Sequence, residues 1–266
     1  MDQAARASPR DRQRCPARNS TRTRSSGNIV TNRLVSAAIR VLADRGFVVT
    51  RHPAVRRQRV LRTAGVDLVL DVGGASGAYG AELRHFGYTG TILSVEPLGD
   101  AFDKLRSRAA DDPHWHVENC AVGEVEGEAV IHVASNSDSS SLLPPDDRHR
   151  QAAPHVTFEE TRTVAVRRLD DVAAAHLRPD TRALFKIDAQ GFEREVMAGA
   201  RRCLELSSVV QLELSFTSLY EGGMLVDEAV SLLYADGYEL VGLVPGFAGP
   251  DGHVLQADGL FLRADR

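Results

Sequence analysis

Short apolar runs alternate with amphipathic stretches along this chain from residue 66 onwards. Apolar runs of about four to eight residues are typical of buried strands, whereas apolar positions three and four apart indicate helices. The predicted strands of the main sheet are 66–71, 91–96, 115–117, 183–188, 208–214, 238–243 and 258–262. The predicted helices are 77–86, 100–110, 170–176, 192–204 and 225–236.

This alternation predicts an α/β fold with a mostly parallel seven-stranded sheet and helices on both of its faces. No helix separates the last two strands, and parallel neighbours require a long crossover connection. The last strand is therefore predicted to be antiparallel.

A polar segment, 135–141, lies between two further predicted strands, 128–134 and 161–169, and Pro144 and Pro145 follow it. A long loop at this position is either a lid that faces a substrate or a flexible insertion, and both interpretations stay open. As a lid, it would offer Ser139, Ser141 and His149 to a polyhydroxylated substrate.

The first 65 residues differ in charge from the rest of the chain. They hold 15 arginines and three aspartates, a balance of +12, whereas the whole chain has a net charge of −4. Residues 1–27 are predicted to be a disordered basic tail, because they contain almost no large apolar side chains. Residues 28–62 are predicted to form an N-terminal helical extension, with a helix to about Asp44, and residues 63–266 the α/β domain.

Cysteine spacing and hydropathy exclude several classes of protein. Three scattered cysteines form neither a disulfide framework nor a zinc motif. No segment approaches the roughly 18 apolar residues of a membrane span, and no signal peptide is evident. A cytoplasmic protein without a membrane span is therefore predicted.

A glycine-rich turn follows the first strand of the α/β domain. Asp71 ends that strand, and Gly73, Gly74 and Gly77 follow it in a D-x-G-x-x-x-G arrangement. Glycines allow a sharp turn, and the helix that opens at about Gly77 would present unpaired N–H groups to a ligand. The next strand ends at Glu96, where a carboxylate suits the two hydroxyls of a ribose. The G-x-G-x-x-G spacing of dinucleotide enzymes is absent, and the turn resembles the first motif of S-adenosylmethionine-dependent methyltransferases.

The second informative segment is Lys186-Ile-Asp188-Ala-Gln-Gly191-Phe-Glu193. A buried strand delivers Lys186 and Asp188 to its carboxyl end, where ligands of open α/β sheets bind. Asp71, Glu96 and Asp188 are therefore expected to face one crevice. Asp188 is a stronger candidate for a site role than for a simple helix cap, whereas Glu193 fits either a site role or an exposed first-turn charge.

This segment, with Val196 and Gly199 after it, resembles the K-I-D-V-E/Q-G-x-E-x-x-V-L-x-G signature of the FkbM family of methyltransferases. Four further segments occur in the same order as in that family. They are the glycine turn, Glu96-Pro97, the Asn119–Gly123 stretch and Leu169-Asp170. The resemblance covers about residues 60–263. The chain departs from the pattern at Gly74-Ala-Ser, where Ala-Asn-x is usual, and at Ala189, where valine is common.

The resemblance implies a Rossmann-like class I methyltransferase fold, S-adenosylmethionine as cofactor and a small-molecule hydroxyl as acceptor, on a sugar, glycolipid or secondary metabolite. It places Asp71, Gly73, Gly74 and Gly77 by the methionine part, Glu96 by the ribose, and Asn119 and Ala121 by the adenine. Asp188 is the candidate catalytic residue near the methyl group and the acceptor, and Lys186 orients it.

The identity of the general base stays open, with His85, His149 and His155 as alternatives, and Glu213 as a further pocket-lining candidate. No metal ligands are assigned, although some sugar O-methyltransferases use a divalent ion with similar carboxylates.

Three other functions were weighed against this one. An NAD-dependent oxidoreductase fits Glu96 but not the glycine spacing. A nucleic-acid methyltransferase would use the basic tail, yet the catalytic part is acidic and lacks an N/D-P-P-Y-type motif. A binding module without activity would not need Lys186, Asp188 and Glu193 together. No nucleic-acid partner is expected, and the sequence does not predict the oligomeric state.

Overall fold

The computed structural model describes residues 27–158 and 160–264, with side chains from residue 35 onwards. The predicted tail, 1–27, lies outside the described residues except for its last position. The chain divides into two compact units between Thr50 and Arg51. In the first unit, helix α1 spans Gly27–Ala43 and the backbone turns at Gly46, where φ is +81°.

The second unit begins with α2 (Pro53–Ala64), which the sequence analysis grouped with the N-terminal extension. The His52 imidazole accepts a hydrogen bond from the Ala54 N–H at the start of α2, and Gly65 ends the helix in the left-handed region. Leu61 and Ala64 are buried in the core of this unit. Residues 51–62 therefore belong to the α/β unit because α2 contributes apolar side chains to its core.

The main sheet has seven strands in the order β3-β2-β1-β7-β8-β10-β9. Its strands are β1 (Leu68–Val72), β2 (Thr91–Val95), β3 (Trp115–Glu118), β7 (Ala183–Ile187), β8 (Ser207–Ser215), β9 (Tyr238–Pro245) and β10 (Gln256–Arg263). The first five in this order are parallel, and β10 is antiparallel to both β8 and β9. The predicted mostly parallel sheet with an antiparallel last strand is confirmed.

Helices cover both faces of this sheet. Besides α2, the helices described in this unit are α3 (Ala78–His85), α4 (Gly99–Ala109), α5 (Asp147–Ala152), α6 (Leu169–Val172), α7 (Glu193–Ala198), α8 (Arg201–Leu206) and α9 (Val226–Ala235). Alternate strand residues point to opposite faces. Val69 and Leu184 pack with α2, α3 and α4, whereas Leu70 and Phe185 pack with the later helices.

One predicted helix is interrupted. The segment 192–204 was expected to be continuous, but α7 ends at Ala198 and α8 starts at Arg201. A Cβ on Gly199 would lie 1.9 Å from the carbonyl oxygen of Gly123. The close approach of these two backbones therefore requires glycine at the break.

A three-stranded second sheet is formed by β4 (Ala121–Val122), β6 (Glu160–Arg167) and β5 (Gly127–Val133), in that order. The short strand β4 was not predicted. In the described ranges, no helix is both long enough and apolar enough to cross a membrane.

Candidate active site

A cavity of about 410 Å³ opens where β1, β2 and β7 end. Small-molecule sites commonly enclose about 300–1,000 Å³. Six of the predicted site residues line it, and they are Gly73, Gly74, Glu96, Ala121, Lys186 and Asp188. Asp71, Gly77 and Asn119 do not line it. The strand ends therefore bring most of the predicted residues together, as the parallel sheet requires.

The glycine turn is shaped mainly by contacts within the protein. The N–H groups of Gly73 and Gly74 both donate to the Val95 carbonyl, at 3.1 and 3.0 Å. The Gly77 N–H donates to the Gly74 carbonyl at 2.8 Å. These three N–H groups are therefore engaged in the turn itself.

Gly73 is the glycine with the tightest requirement. Its φ is +76°, and a Cβ there would lie 1.9 Å from the Asp188 carbonyl oxygen. We expect Gly73→Ala to reduce the free energy of unfolding by about 1–3 kcal/mol more than Gly87→Ala. Gly87 has a φ of +91° with nothing within 4 Å of its Cβ position. Gly87→Ala therefore loses stability only through the positive φ, without a steric clash. Urea denaturation of both variants measures the difference, and equal losses would show that the contact with Asp188 relaxes freely.

The Glu96 carboxylate is fixed at the edge of the cavity by two backbone donors. The Ala75 N–H donates to Oε2 and the Leu98 N–H donates to Oε1, both at 2.9 Å. Burial raises the pKa of Glu96, and the two N–H groups oppose that rise. Each carboxylate oxygen has further acceptor capacity. Glu96 therefore presents two preoriented acceptor oxygens at the edge of the cavity.

Asn119, predicted to lie by an adenine, contacts the loop after β2 in the structure. Its side-chain amide donates to the carbonyls of Glu96 and Pro97, at 2.8 and 3.2 Å, and the residue is exposed outside the cavity. It holds the loop after β2 in place. The residues after it that line the cavity are Cys120, Ala121 and Val122.

Asp71 and Lys186 form a buried ion pair below the cavity floor. The Asp71 side chain is fully buried, and its Oδ1 lies 3.3 Å from the Lys186 Nζ. The Ser94 hydroxyl donates to Asp71 Oδ2 at 2.7 Å. Lys186 also donates to the carbonyls of Val72 and Gly73, at 3.2 and 2.7 Å. Asp71 thus acts through Lys186 and the turn, without contact with the cavity.

Lys186 stays protonated in this environment. Burial by itself would lower the pKa of Lys186, but the carboxylates of Asp188 and Asp71 outweigh it and hold the pKa above the ordinary value. The ammonium lies 3.5 Å from Asp188 Oδ2 and 5.4 Å from the centre of the Tyr79 ring. Lys186 is therefore a cation that positions Asp188, and is unsuited to accept a proton.

Gln190 holds the other oxygen of Asp188. Its φ is +52°, and its Nε2 donates to Asp188 Oδ1 at 2.8 Å and to Glu213 Oε2 at 2.9 Å. The Tyr220 hydroxyl donates a hydrogen bond to Gln190 Oε1 at 2.8 Å. Burial, with the Asp188 charge next, raises the pKa of Glu213 well above its ordinary value. The Asp188 carboxylate is thus oriented from both sides.

Glu193 closes the turn after β7. It is buried, and its Oε1 accepts hydrogen bonds from the N–H groups of Gly191 and Ala189, at 2.9 and 3.2 Å. Burial raises the pKa of Glu193 to about 7. This geometry gives Glu193 a structural role, and it does not line the cavity.

The polar segment 135–141 contributes directly to the cavity wall. Ser137, Asp138, Ser140 and Ser141 line the cavity. The buried Ser141 hydroxyl donates to the Gln190 carbonyl at 2.7 Å, which ties the segment to the turn after β7. Of the three residues that a lid was expected to offer, Ser141 lines the cavity, whereas Ser139 and His149 do not.

The three histidines considered as bases do not line the cavity. His85 and His155 are exposed. His149 is buried against the rings of Phe158 and Tyr220, and burial lowers its pKa. Within the described ranges, no group of three or more histidine, cysteine, aspartate or glutamate side chains is arranged to hold a metal ion.

Several polar cavity residues were not predicted from the sequence, and Arg57, Tyr79, Gln211 and Asp258 are among them. Gln211 and Lys186 are in register on neighbouring strands, so they share a face of the sheet. The available signal was the polar Gln211 within the otherwise apolar β8. Arg57 and Tyr79 lie on helices without a motif, and no sequence signal placed them here.

The strand order of the main sheet, with the candidate site at the carboxyl ends of its parallel strands, is that of the class I, Rossmann-like α/β fold. The family model of the methyltransferase FkbM domain matches residues 71–240, and the chain belongs to that family. The resemblance inferred from the two motifs is thereby confirmed.

One relative is the 2-O-methyltransferase NoeI of Sinorhizobium fredii (strain NBRC 101917 / NGR234). It is 27% identical over 197 residues, which cover 71% of this chain and 78% of NoeI. A putative O-methyltransferase from Klebsiella pneumoniae has a TM-score of 0.49 and 13% identity, covering 88% of this chain and 96% of its own. Fibrillarin from Aeropyrum pernix, in complex with natively bound S-adenosyl-L-methionine, has a TM-score of 0.42 and 13% identity, covering 79% and 76%.

Proposed function

We propose that this methyltransferase transfers a methyl group from S-adenosylmethionine to a hydroxyl of a small molecule, such as a sugar, glycolipid or secondary metabolite. The observation that carries the proposal is the pair of fixed carboxylates, Glu96 and Asp188, that line one cavity. Membership of the FkbM family and the similarity to a 2-O-methyltransferase support it.

The cavity suits the cofactor chemically. Glu96 offers two oriented carboxylate oxygens for the ribose hydroxyls, and the apolar side chains of Leu98, Ala121 and Val122 offer an apolar surface for an adenine. The Gly73–Ser76 turn would hold the methionine part. When bound, S-adenosylmethionine supplies a methyl group that is already activated by the sulfonium.

The residues of the chain then have two tasks. The acceptor hydroxyl must be held in line with the methyl group, and its proton must be taken up. Asp188 lines the cavity with a side chain that is 39% exposed, so a hydroxyl can reach it. Lys186 and Gln190 fix its two oxygens. This carboxylate would take up the hydroxyl proton as the O–CH₃ bond forms and the S–CH₃ bond breaks, with S-adenosylhomocysteine as the leaving group.

The charge of the cavity favours a neutral acceptor over a nucleic acid. Glu82, Glu96, Asp138, Asp188 and Asp258 line it, whereas its cations, Arg57 and Lys186, are paired with carboxylates. Phosphates entering this space would meet net negative charge. A small neutral molecule with hydroxyl groups would not be repelled by this negative charge.

Binding of the cofactor is the first test. We expect Glu96→Gln to weaken S-adenosylmethionine binding at least tenfold, because two charge-assisted hydrogen bonds to the ribose become neutral ones. Isothermal titration calorimetry with S-adenosylmethionine, and with NAD in parallel, measures this. Glu126→Gln, an exposed carboxylate in a turn, is the matched control. Binding of NAD in preference to S-adenosylmethionine, or unchanged affinity in Glu96→Gln, would contradict the proposal.

A further inference from the structure

A second cavity of about 250 Å³ adjoins the first on the side of α2 and β10. The two cavities share four lining residues, which are Arg57, Glu82, Gln211 and Asp258. All four belong to the second compact unit. The shared residues form a boundary between the first cavity and this further space.

The boundary is held together by contacts among its own side chains and Tyr79. The Tyr79 hydroxyl donates to Gln211 Oε1 at 2.8 Å. The Arg57 guanidinium lies 4.5 Å above the centre of the Tyr79 ring and is paired with Glu82. These contacts fix the orientation of the Gln211 amide and leave Arg57 with its charge balanced.

Asp258 is the boundary residue best placed to meet a second ligand. It lies at the start of β10, opposite Glu213 of β8, and its side chain is exposed to the space shared by the two cavities. Burial, with the Asp188 charge next, raises the pKa of Asp258. A carboxylate in this position accepts hydrogen bonds from hydroxyl groups.

The rest of the second cavity is small and largely apolar. Pro53, Ala54, Val244 and Leu260 line it with the backbone of Gly242 and Gly259, and the side chains of His52 and Arg56 complete the wall. A pyranose has the matching surface, because its ring presents C–H groups on its faces and hydroxyls at its edge.

We propose that the second cavity is the acceptor subsite, which holds a saccharide whose reacting hydroxyl passes the Gln211–Asp258 boundary to reach Asp188. Asp258 accepts a hydrogen bond from an acceptor hydroxyl and is a specificity-determining residue. This inference rests on the proposed function and adds to it the place and the chemical class of the acceptor.

A steric variant tests the location. Val244 lines the second cavity and not the first, so Val244→Trp fills the acceptor space alone. The neighbouring Leu243 is 47% exposed on β9 and lines neither cavity, so Leu243→Trp is the matched control. Transfer of a tritiated methyl group from S-adenosylmethionine is measured on a panel of methyl glycosides of hexoses, 6-deoxyhexoses and pentoses.

We expect at least one glycoside to be methylated. Val244→Trp then raises the KM for that glycoside at least tenfold, with an unchanged dissociation constant for S-adenosylmethionine, and Leu243→Trp leaves both constants unchanged. Asp258→Asn lowers kcat/KM about ten- to hundredfold, as the loss of a charge-assisted hydrogen bond predicts, again with normal cofactor binding. Intact cofactor binding also shows that each variant is folded.

Three results overturn the inference. Equal KM values for Val244→Trp and the wild type would place the acceptor elsewhere. Normal kcat/KM in Asp258→Asn would remove its role in specificity. Cofactor binding without methylation of any glycoside would exclude the saccharide class while leaving the proposed function intact, whereas failure to bind S-adenosylmethionine would instead contradict the proposed function itself.

Discussion

Replacement of Asp188 by asparagine is expected to lower kcat by about 10²- to 10⁴-fold, the usual contribution of a general base. The amide cannot take up the proton of the acceptor hydroxyl. The geometry is otherwise preserved, since the asparagine oxygen can still accept the hydrogen bond from Gln190 Nε2, and Lys186 keeps its pair with Asp71 at 3.3 Å. The dissociation constant for S-adenosylmethionine should stay within about threefold, roughly 0.6 kcal/mol.

Initial rates of methyl transfer to the glycoside panel, with calorimetry for the cofactor, give both quantities. Asp111→Asn is the matched control, because Asp111 is an exposed aspartate in the turn between α4 and β3. A kcat within threefold of the wild type in Asp188→Asn would assign proton uptake to another carboxylate of the cavity wall, with Asp258 as the first to examine.

Lys186→Met is expected to reduce the free energy of unfolding by about 3–5 kcal/mol, the cost of leaving one partner of a buried ion pair alone. The Asp71 carboxylate would stay fully buried with Ser94 as its remaining hydrogen-bond donor. The carbonyls of Val72 and Gly73 would also lose the ammonium that now contacts them at 3.2 and 2.7 Å. The ion pair therefore matters for the turn as well as for Asp188.

Urea denaturation of Lys186→Met and of the double variant Asp71→Asn/Lys186→Met measures this cost. The double variant should recover a large part of the lost stability, because no uncompensated charge remains in the core. Lys104→Met, which removes the exposed lysine of α4, should change stability by less than about 0.5 kcal/mol. A double variant as unstable as Lys186→Met would show that packing, and not the buried charge, causes the loss.

Much of the fold and part of the site followed from local patterns. The alternation of strands and helices predicted the parallel sheet, and two motifs placed Glu96, Lys186 and Asp188 at strand ends. Because the carboxyl ends of parallel strands meet at one edge, these residues had to converge there. The glycine at position 73 was predicted to be important as well. The structure shows that glycine is required there because a Cβ would lie 1.9 Å from the carbonyl oxygen of Asp188.

Other features depend on surroundings that no motif specifies. Asn119 follows a strand, as expected, and its amide donates to the carbonyls of Glu96 and Pro97 outside the cavity, while its place by an adenine stays a prediction. The helix predicted at 192–204 breaks near Gly199, where the backbone of Gly123 passes close by. Each outcome depends on a segment more than twenty residues away in the sequence.

The sequence by itself determined the class of fold, the edge of the sheet where the candidate site lies and the carboxylates that line the first cavity. These features depend on residue periodicity and on motifs within single βα units, which are local. Only the tertiary structure decided how the proposed acceptor subsite is built. Strand β10 inserts between β8 and β9, which brings Asp258 opposite Glu213, and α2 adds Arg57 over Tyr79. Strand order, register and helix docking are set by packing between distant segments. They therefore cannot be predicted from local periodicity.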